Sequence, residues 1–296
     1  MVLEFKNIDK SFGEKQVLKG VSLSAEGGKA FGLLGRNGAG KTTSIRILMN
    51  VFPADKGEIL IDGKPINYGK IGMGYLPEER GLYPKKIIID QLVYFAELKG
   101  MSTKDAVKSI DYWLSRLGMT EYRNKRLDTL SKGNQQKIQL ITALAHDPQI
   151  IILDEPFSGL DPVNAMLLKD VVKEQIAKGK IVLFSSHQMS YIEEFCDSIA
   201  IINAGKVVIS GDLREIKRNY PRDKIVVRSS NSEQIKTELG DACTEQEDGA
   251  LIVQLASPED KQSMMKKLVQ SYDIDEISVF EPSLNDIFVE YAGEQI

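Results

Sequence analysis

Residues 32–48 read GLLGRNGAGKTTSIRIL: an apolar strand end, glycines at 35, 38 and 40, then a lysine and two threonines on the first turn of a helix. The run Gly35-Arg-Asn-Gly-Ala-Gly40-Lys41-Thr42 fits G-x-x-x-x-G-K-[ST], set between a predicted strand and a predicted helix as that motif requires. Glycine tolerates the backbone angles needed and carries no side chain to block approach, so successive N–H groups can wrap phosphate oxygens. The helix N-terminus adds a favourable dipole. Lys41 is expected to reach the β- and γ-phosphates, and Thr42 to hold Mg²⁺. The predicted phosphate-binding set is Gly35, Asn37, Gly38, Gly40, Lys41, Thr42 and Thr43. A glycine-rich turn with an incidental lysine is the competing reading, and the full pattern in its proper context weighs against it. The chain is expected to bind a nucleoside triphosphate.

Such a loop does not by itself separate GTPases, kinases and ATPases. Further along, Ile150-Ile-Ile-Leu-Asp154-Glu155 is an apolar strand ending in two carboxylates, and its edge is expected to lie beside the phosphate-binding loop. Asp154 can coordinate a metal directly or through water, and Glu155 can polarise a water aimed at the γ-phosphate. Two acids that merely end a strand are common in proteins generally, but beside such a loop that is the minority reading. A guanine-reading N-K-x-D is not matched: Asn124-Lys-Arg-Leu-Asp128 has one residue too many.

Leu130-Ser131-Lys132-Gly133-Asn134 lies shortly before the Asp-Glu strand, and the whole set resembles the ATP-binding cassette (ABC) ATPases. Their signature L-S-G-G-Q is matched at Leu130, Ser131 and Gly133 and departs at Lys132 and Asn134. A serine hydroxyl and a glycine backbone at a helix N-terminus make a second phosphate clamp; alone, the string would read as a helix capped by Ser131. The resemblance covers roughly the first two thirds of the chain. It implies that Ser158-Gly-Leu-Asp161 is the D-loop, that Asp161 belongs to the nucleotide site, and that His187 is the switch histidine contacting the γ-phosphate. It implies further that Phe12 stacks on adenine, the alternative being a core phenylalanine. At the Q-loop position the family usually has glutamine; here Glu78 stands there, able to approach Mg²⁺ or the attacking water through an oxygen but adding negative charge.

Outward from these motifs the chain alternates strand and helix. Residues 2–12 and 17–25 are β-like around a Gly-containing turn and predict a hairpin or small antiparallel sheet. Strand character at 29–35, 57–66, 71–77, 150–155 and 180–186 alternates with helical spacing at 41–52, 132–145, 163–177 and 189–196. Residues 89–120 are helical, with apolar residues at Leu92, Phe95, Ala96, Val107, Ile110, Trp113, Leu114 and Leu117. The expected fold class is α/β: a P-loop NTPase core with a mostly parallel sheet covered on both faces, an antiparallel β-subdomain, and a helical subdomain over about 81–145. KRNYPRDK at 217–224 breaks the pattern, so an ATPase domain is expected over 1–218 and a small α+β accessory domain over 219–296, its preferred role dimerisation or regulation.

Composition sets the surroundings. A net charge of −4 gives no basic footprint for nucleic acid, so none is expected as a partner. Cys196 and Cys243 are the only cysteines and build neither a disulfide framework nor a zinc site, which fits a reducing compartment. Apolar runs fall far short of the ~20 residues of a membrane-spanning helix, and Met1 leads straight into a strand-like segment without a signal peptide. The resemblance therefore implies an ATPase subunit using ATP and Mg²⁺, held at the cytoplasmic face of the membrane by a separate polytopic permease. The coupling helices of that permease would dock near 81–126, and the active species would be an ATP-sandwich homodimer. The texture, including PSLNDIFVEYAG at 282–293, is most like the bacterial sodium- and drug-exporter group, which implies export of an ion, drug or other small solute. The rival classes are a non-transport ABC ATPase of translation or DNA maintenance, and a regulatory ATP-dependent binder. Translation-type members usually carry two cassettes and repair members a long coiled coil; neither is seen here. The Asp154-Glu155 pair argues against a binder without turnover.

Overall fold

Alternation of apolar and polar residues at the start of the chain makes strands with one dry face. In the computed structural model, which describes residues 1–79, 81–157, 160–186, 188–246 and 248–293, β1 (Val2–Phe12) pairs antiparallel with β2 (Lys15–Glu26), from Val2 opposite Glu26 to Phe12 opposite Lys15. Leu3, Phe5, Ile8, Leu18, Val21, Leu23 and Ala25 all turn inward. The next strand, β3 (Ala30–Leu34), is buried at every position, the mark of a strand covered on both faces. The loop after it leads into α1 (Lys41–Leu48), and β4 (Lys56–Ile61) and β5 (Lys64–Pro65) complete the antiparallel sheet in the order β2-β1-β4-β5. Helix α1 stops four residues short of the expected 41–52, because Asn50 turns into the left-handed region at φ 57°.

The helical region expected over 89–120 consists of two helices. After β6 (Met73–Leu76), α2 (Ile88–Leu98) ends before Gly100, whose φ of 88° suits glycine, and α3 (Thr103–Arg116) restarts behind Ser102, whose side chain accepts from Asp105 N. Their buried residues, among them Leu92, Ala96, Ile110, Trp113 and Leu114, include most of the stripe read from the sequence. Helix α4 (Lys132–Leu144) then leads to β7 (Ile150–Asp154), followed by α5 (Pro162–Ala177), β8 (Ile181–Ser185), α6 (Met189–Phe195), β9 (Ser198–Asn203) and β10 (Lys206–Asp212).

The main sheet runs β10-β9-β3-β8-β7-β6, parallel from β9 to β6 with β10 antiparallel at its edge. The Asp-Glu strand β7 is not the hydrogen-bonded neighbour of β3. Strand β8 sits between them, with Leu33 opposite Ser185 on one side and Ser185 opposite Asp154 on the other. Each parallel pair needs a helical crossover, and these place strands out of chain order. Strands β9 and β10 were not read from the sequence.

By its internal contacts the chain divides into two units, one of Met1–Leu213 with the residues from Phe288 on, the other Arg214–Ile287. The second holds all of α7 (Leu213–Arg218) but its first residue and runs β11 (Lys224–Ser229), α8 (Ser232–Leu239), β12 (Cys243–Glu245), β13 (Leu251–Gln254), α9 (Lys261–Ser271) and β14 (Ile274–Val279). The final helix, α10, covers Leu284–Gly293. The antiparallel order β12-β13-β11-β14 is the split β-α-β-β-α-β arrangement. Its own core holds Ile225, Val227, Ile235, Leu251, Val253 and Leu268. Among the described residues, no helix is long and apolar enough to cross a membrane.

Candidate nucleotide site

The loop between β3 and α1 is shaped by its glycines. A Cβ on Gly35 would stand 2.5 Å from the backbone oxygen of Ile202, so this glycine is required by close approach to β9. Gly38 differs: its φ of 80° lies in the left-handed region, yet a Cβ there would meet nothing within 4 Å. The protein's own packing does not demand a bare backbone at Gly38, which leaves its openness to whatever the exposed loop receives. Asn37 is also exposed, Gly40 precedes α1 as its N-cap at φ 120°, and Thr42 is exposed on the first turn with Thr43 half-buried beside it.

Lys41 extends back over this loop and donates to the Gly35 carbonyl at 2.6 Å, with Arg36 O at 3.4 Å. Burial lowers the pKa of its ammonium, while the charges of Glu155, Asp154 and Glu78 push the other way. Lys41 on the first turn of α1, Glu78 after β6 and Asp154-Glu155 at the end of β7 share one electrostatic neighbourhood, although more than thirty residues separate Lys41 from Glu78 and more than seventy separate Glu78 from Asp154.

Asp154 ends β7 with 6% of its surface exposed, and burial raises its carboxyl above the usual range. The Tyr75 hydroxyl donates to Asp154 Oδ2 at 3.3 Å, and burial together with that carboxylate pushes the phenol up to about 12. Glu155 is equally buried and adopts φ 48°, a left-handed conformation that costs a non-glycine residue about 1–2 kcal/mol. It is held there by Glu155 N donating to Ser185 O at 2.8 Å and by Ser186 Oγ donating to Glu155 Oε2 at 2.9 Å. Tyr75 and Ser186 escaped the sequence reading: each reaches its acid across strands, and nothing in YLP or SSH marks them. The donors present, Thr42 hydroxyl and carboxylates gathered at one end of the sheet, are hard oxygens of the kind Mg²⁺ takes.

Ser131 and Gly133 stand apart from this group. Ser131 caps α4, accepting from Asn134 N at 3.4 Å, and both it and Lys132 are exposed. Among the described residues, no hydrogen bond or ion pair joins them to the phosphate-binding loop. Asp161 caps α5, accepting from Asn164 N at 2.9 Å, and that bond holds its carboxyl below the usual range. Phe12, at the end of β1, is 49% exposed and meets Phe52 edge to face at 5.4 Å; it is not a core residue. The ammonium of Lys10, anchored on Asp55 at 2.7 Å, lies 5.6 Å from the Phe12 ring centre. His187, and Ser158 and Gly159 of the D-loop, lie outside the described residues.

Comparison with known proteins bears on this geometry. Residues 18–158 match the ABC transporter family, and residues 211–292 match the C-terminal domain of DrrA1-3-like ATP-binding proteins. YhaQ of Bacillus subtilis, an ABC transporter ATP-binding protein, is 43% identical over 296 residues, covering 99% of both chains. The linearmycin resistance ATP-binding protein LnrL of the same organism is 33% identical over 76% of this chain and 74% of its own. A solved ATP-binding subunit of an ABC transporter superposes with a TM-score of 0.68 at 30% identity, over 74% of this chain and 93% of that one.

Proposed function

This chain belongs to the ATP-binding subunits of ABC transporters, ATPases that energise a membrane permease, and from that premise we propose how its residues carry out the hydrolysis and with what partners. The observation that carries the proposal is the convergence of Lys41, Asp154, Glu155 and Glu78 at one end of the parallel sheet. Gly35, Asn37, Gly38 and Gly40 offer backbone N–H groups to the phosphates, with Thr43 on the helix turn behind them. Lys41 turns from the Gly35 carbonyl to the β- and γ-phosphates, and Phe12 stacks on adenine from its exposed position on β1.

Thr42, Asp154 and Glu78 would hold Mg²⁺, which when bound neutralises phosphate charge and fixes the γ-phosphate for attack. Glu155 polarises the attacking water and accepts its proton, oriented by the Ser186 hydroxyl, and His187 contacts the γ-phosphate. Ser131, Gly133 and Asp161 complete the site of a second copy, so that two chains sandwich two ATP molecules head to tail. Ser131 and Asp161 are exposed and Gly133 is half-buried, all at helix starts with no hydrogen bond or ion pair, among the described residues, to the chain's own phosphate loop, which supports that role.

The partner is a polytopic permease whose coupling helices dock against residues 81–126, where Tyr83, Tyr94 and Leu98 are exposed. The chain would then lie peripherally at the cytoplasmic face of the membrane. A relative named for linearmycin resistance supports export of a drug-like or other small solute. We assign residues 1–218 to the ATPase domain and 219–296 to an accessory domain for dimerisation or regulation. Affinity purification of the tagged chain from solubilised membranes tests the partner: a polytopic membrane protein should co-purify and support ATP-driven transport in vesicles. Recovery with ribosomes or DNA and no membrane protein would favour the non-transport class.

A further inference from the structure

Gln139 lies on α4, two turns into the helix that begins at Ser131, with 6% of its surface exposed. Its Nε2 donates to two carbonyls of one short segment: Pro77 O at 3.2 Å and Glu79 O at 3.0 Å. A primary amide nitrogen has two hydrogens, and here both are spent on acceptors that flank a single residue. That residue is Glu78, which is itself exposed and whose charge reaches Lys41 and Tyr75. An exposed glutamate in a loop would ordinarily sample many orientations. With the carbonyls on either side of it held by α4, its backbone is fixed, and so is the direction of its Cα–Cβ bond, which narrows the region its carboxylate can reach.

We infer that Gln139 is a positioning residue for ATP hydrolysis, acting through Glu78: it holds the loop so that this carboxylate faces the Mg²⁺ and the attacking water. The inference rests on the reading of Glu78 proposed above. It also gives α4 a second task, since the helix that presents Ser131 and Gly133 at its start fixes a residue of its own chain's site from its middle. A purely local role, satisfying a buried amide, would require nothing of Glu78.

The test is an equilibrium titration with Mg²⁺ of the binding of a fluorescent ATP analogue, carried out on the full chain in the Glu155→Gln background so that turnover does not intervene. Steady-state turnover of the same variants with Glu155 intact is measured in parallel. Glu78→Ala, at an exposed position, reports on Glu78 itself. Gln139→Met keeps the buried volume and removes both donors; Gln139→Asn keeps a buried amide that falls one methylene short. Thermal unfolding without nucleotide identifies any variant that fails to fold. We expect Gln139→Met and Gln139→Asn each to raise the Mg²⁺ midpoint and lower kcat by roughly tenfold, the lower end for residues that orient metal ligands. ATP affinity without Mg²⁺ should be unchanged. In the Glu78→Ala background neither should have further effect, the non-additivity of residues acting as one unit. If Glu78→Ala shifts the midpoint but folded Gln139 variants do not, or add to it independently, the positioning role is wrong while the reading of Glu78 stands. If Glu78→Ala itself shifts nothing, the reading of Glu78 fails and the inference falls with it.

Discussion

Two glycines three residues apart in one loop should fail for opposite reasons when replaced by alanine. At Gly38 the new Cβ meets no protein atom within 4 Å, so the cost to the fold is that of a left-handed alanine, about 1–2 kcal/mol. For a unit of some two hundred residues this lowers Tm by roughly 2–8 °C. The same Cβ intrudes where phosphate oxygens must approach the backbone. Losing one charge-assisted hydrogen bond costs about 1.5–3 kcal/mol, a weakening of ATP binding of roughly 10- to 150-fold. At Gly35 the Cβ would lie 2.5 Å from Ile202 O and 3.1 Å from the Ala39 Cβ, atoms of the scaffold that cannot swing aside. Gly35→Ala should therefore lose stability first, by at least the ~1–3 kcal/mol of an overpacked core. Isothermal titration with ATP beside calorimetric unfolding separates the two. Gly38→Ala that folds and binds ATP like the parent protein would refute the argument that the loop is open there to receive phosphate.

Phe12→Ala should weaken ATP binding by roughly 1–3 kcal/mol, on the scale of base–aromatic stacking, while Phe12→Tyr is tolerated; unchanged affinity with a lowered Tm would make the contact with Phe52 its whole purpose. His146, whose Nε2 lies 3.0 Å from Met73 O, is held below its ordinary pKa chiefly by burial. Below about 6.5 the unfolded chain therefore takes up a proton that the folded chain refuses, and stability falls as pH falls toward the lowered value. Denaturant titrations should show that slope flattened in His146→Gln, and an unaltered slope would assign it elsewhere. Lys41→Ala and Gly133→Asp should each be inactive alone, the second also crowding Asn164, whose Nδ2 lies 3.3 Å from a Cβ at 133. Mixed with subunit exchange, they should regain partial ATPase activity through one intact composite site; if ATP-induced dimerisation of Glu155→Gln were indifferent to Gly133→Asp, the shared site would be wrong.

What could be read from the sequence was local. Gly35 to Thr42 sit in one loop and one helix turn, so their spacing alone specifies the phosphate site, and buried runs such as Ile150–Asp154 declare a covered parallel sheet. Strand order is not local: β8 separates β3 from β7 because helical crossovers, not adjacency in the chain, decide neighbours. Strands β9 and β10 declare themselves only through pairing, β9 with β3 more than 160 residues upstream and β10 antiparallel at the sheet's edge. Tyr75, Ser186 and Gln139 have the same explanation. Their partners lie 79, 31 and 62 or 60 residues away, and a tyrosine, a serine or a glutamine carries no sign of its partner in its own neighbourhood. Phe12 shows the converse, since burial decides between a core and a surface role and only the fold supplies it.

The central claim is that ATP is bound by the loop after β3 and cleaved through Glu155. A single-turnover measurement with radiolabelled ATP and Mg²⁺, comparing the parent protein with Glu155→Gln, tests it most directly. The variant removes a carboxylate that Ser186 orients and leaves Lys41, Thr42 and Asp154 in place, so it should retain ATP at parent affinity. Phosphate release should slow by about 10²–10⁴-fold, the usual contribution of a positioned general base. Phosphate released at the parent rate by a folded, ATP-loaded Glu155→Gln protein would contradict the account.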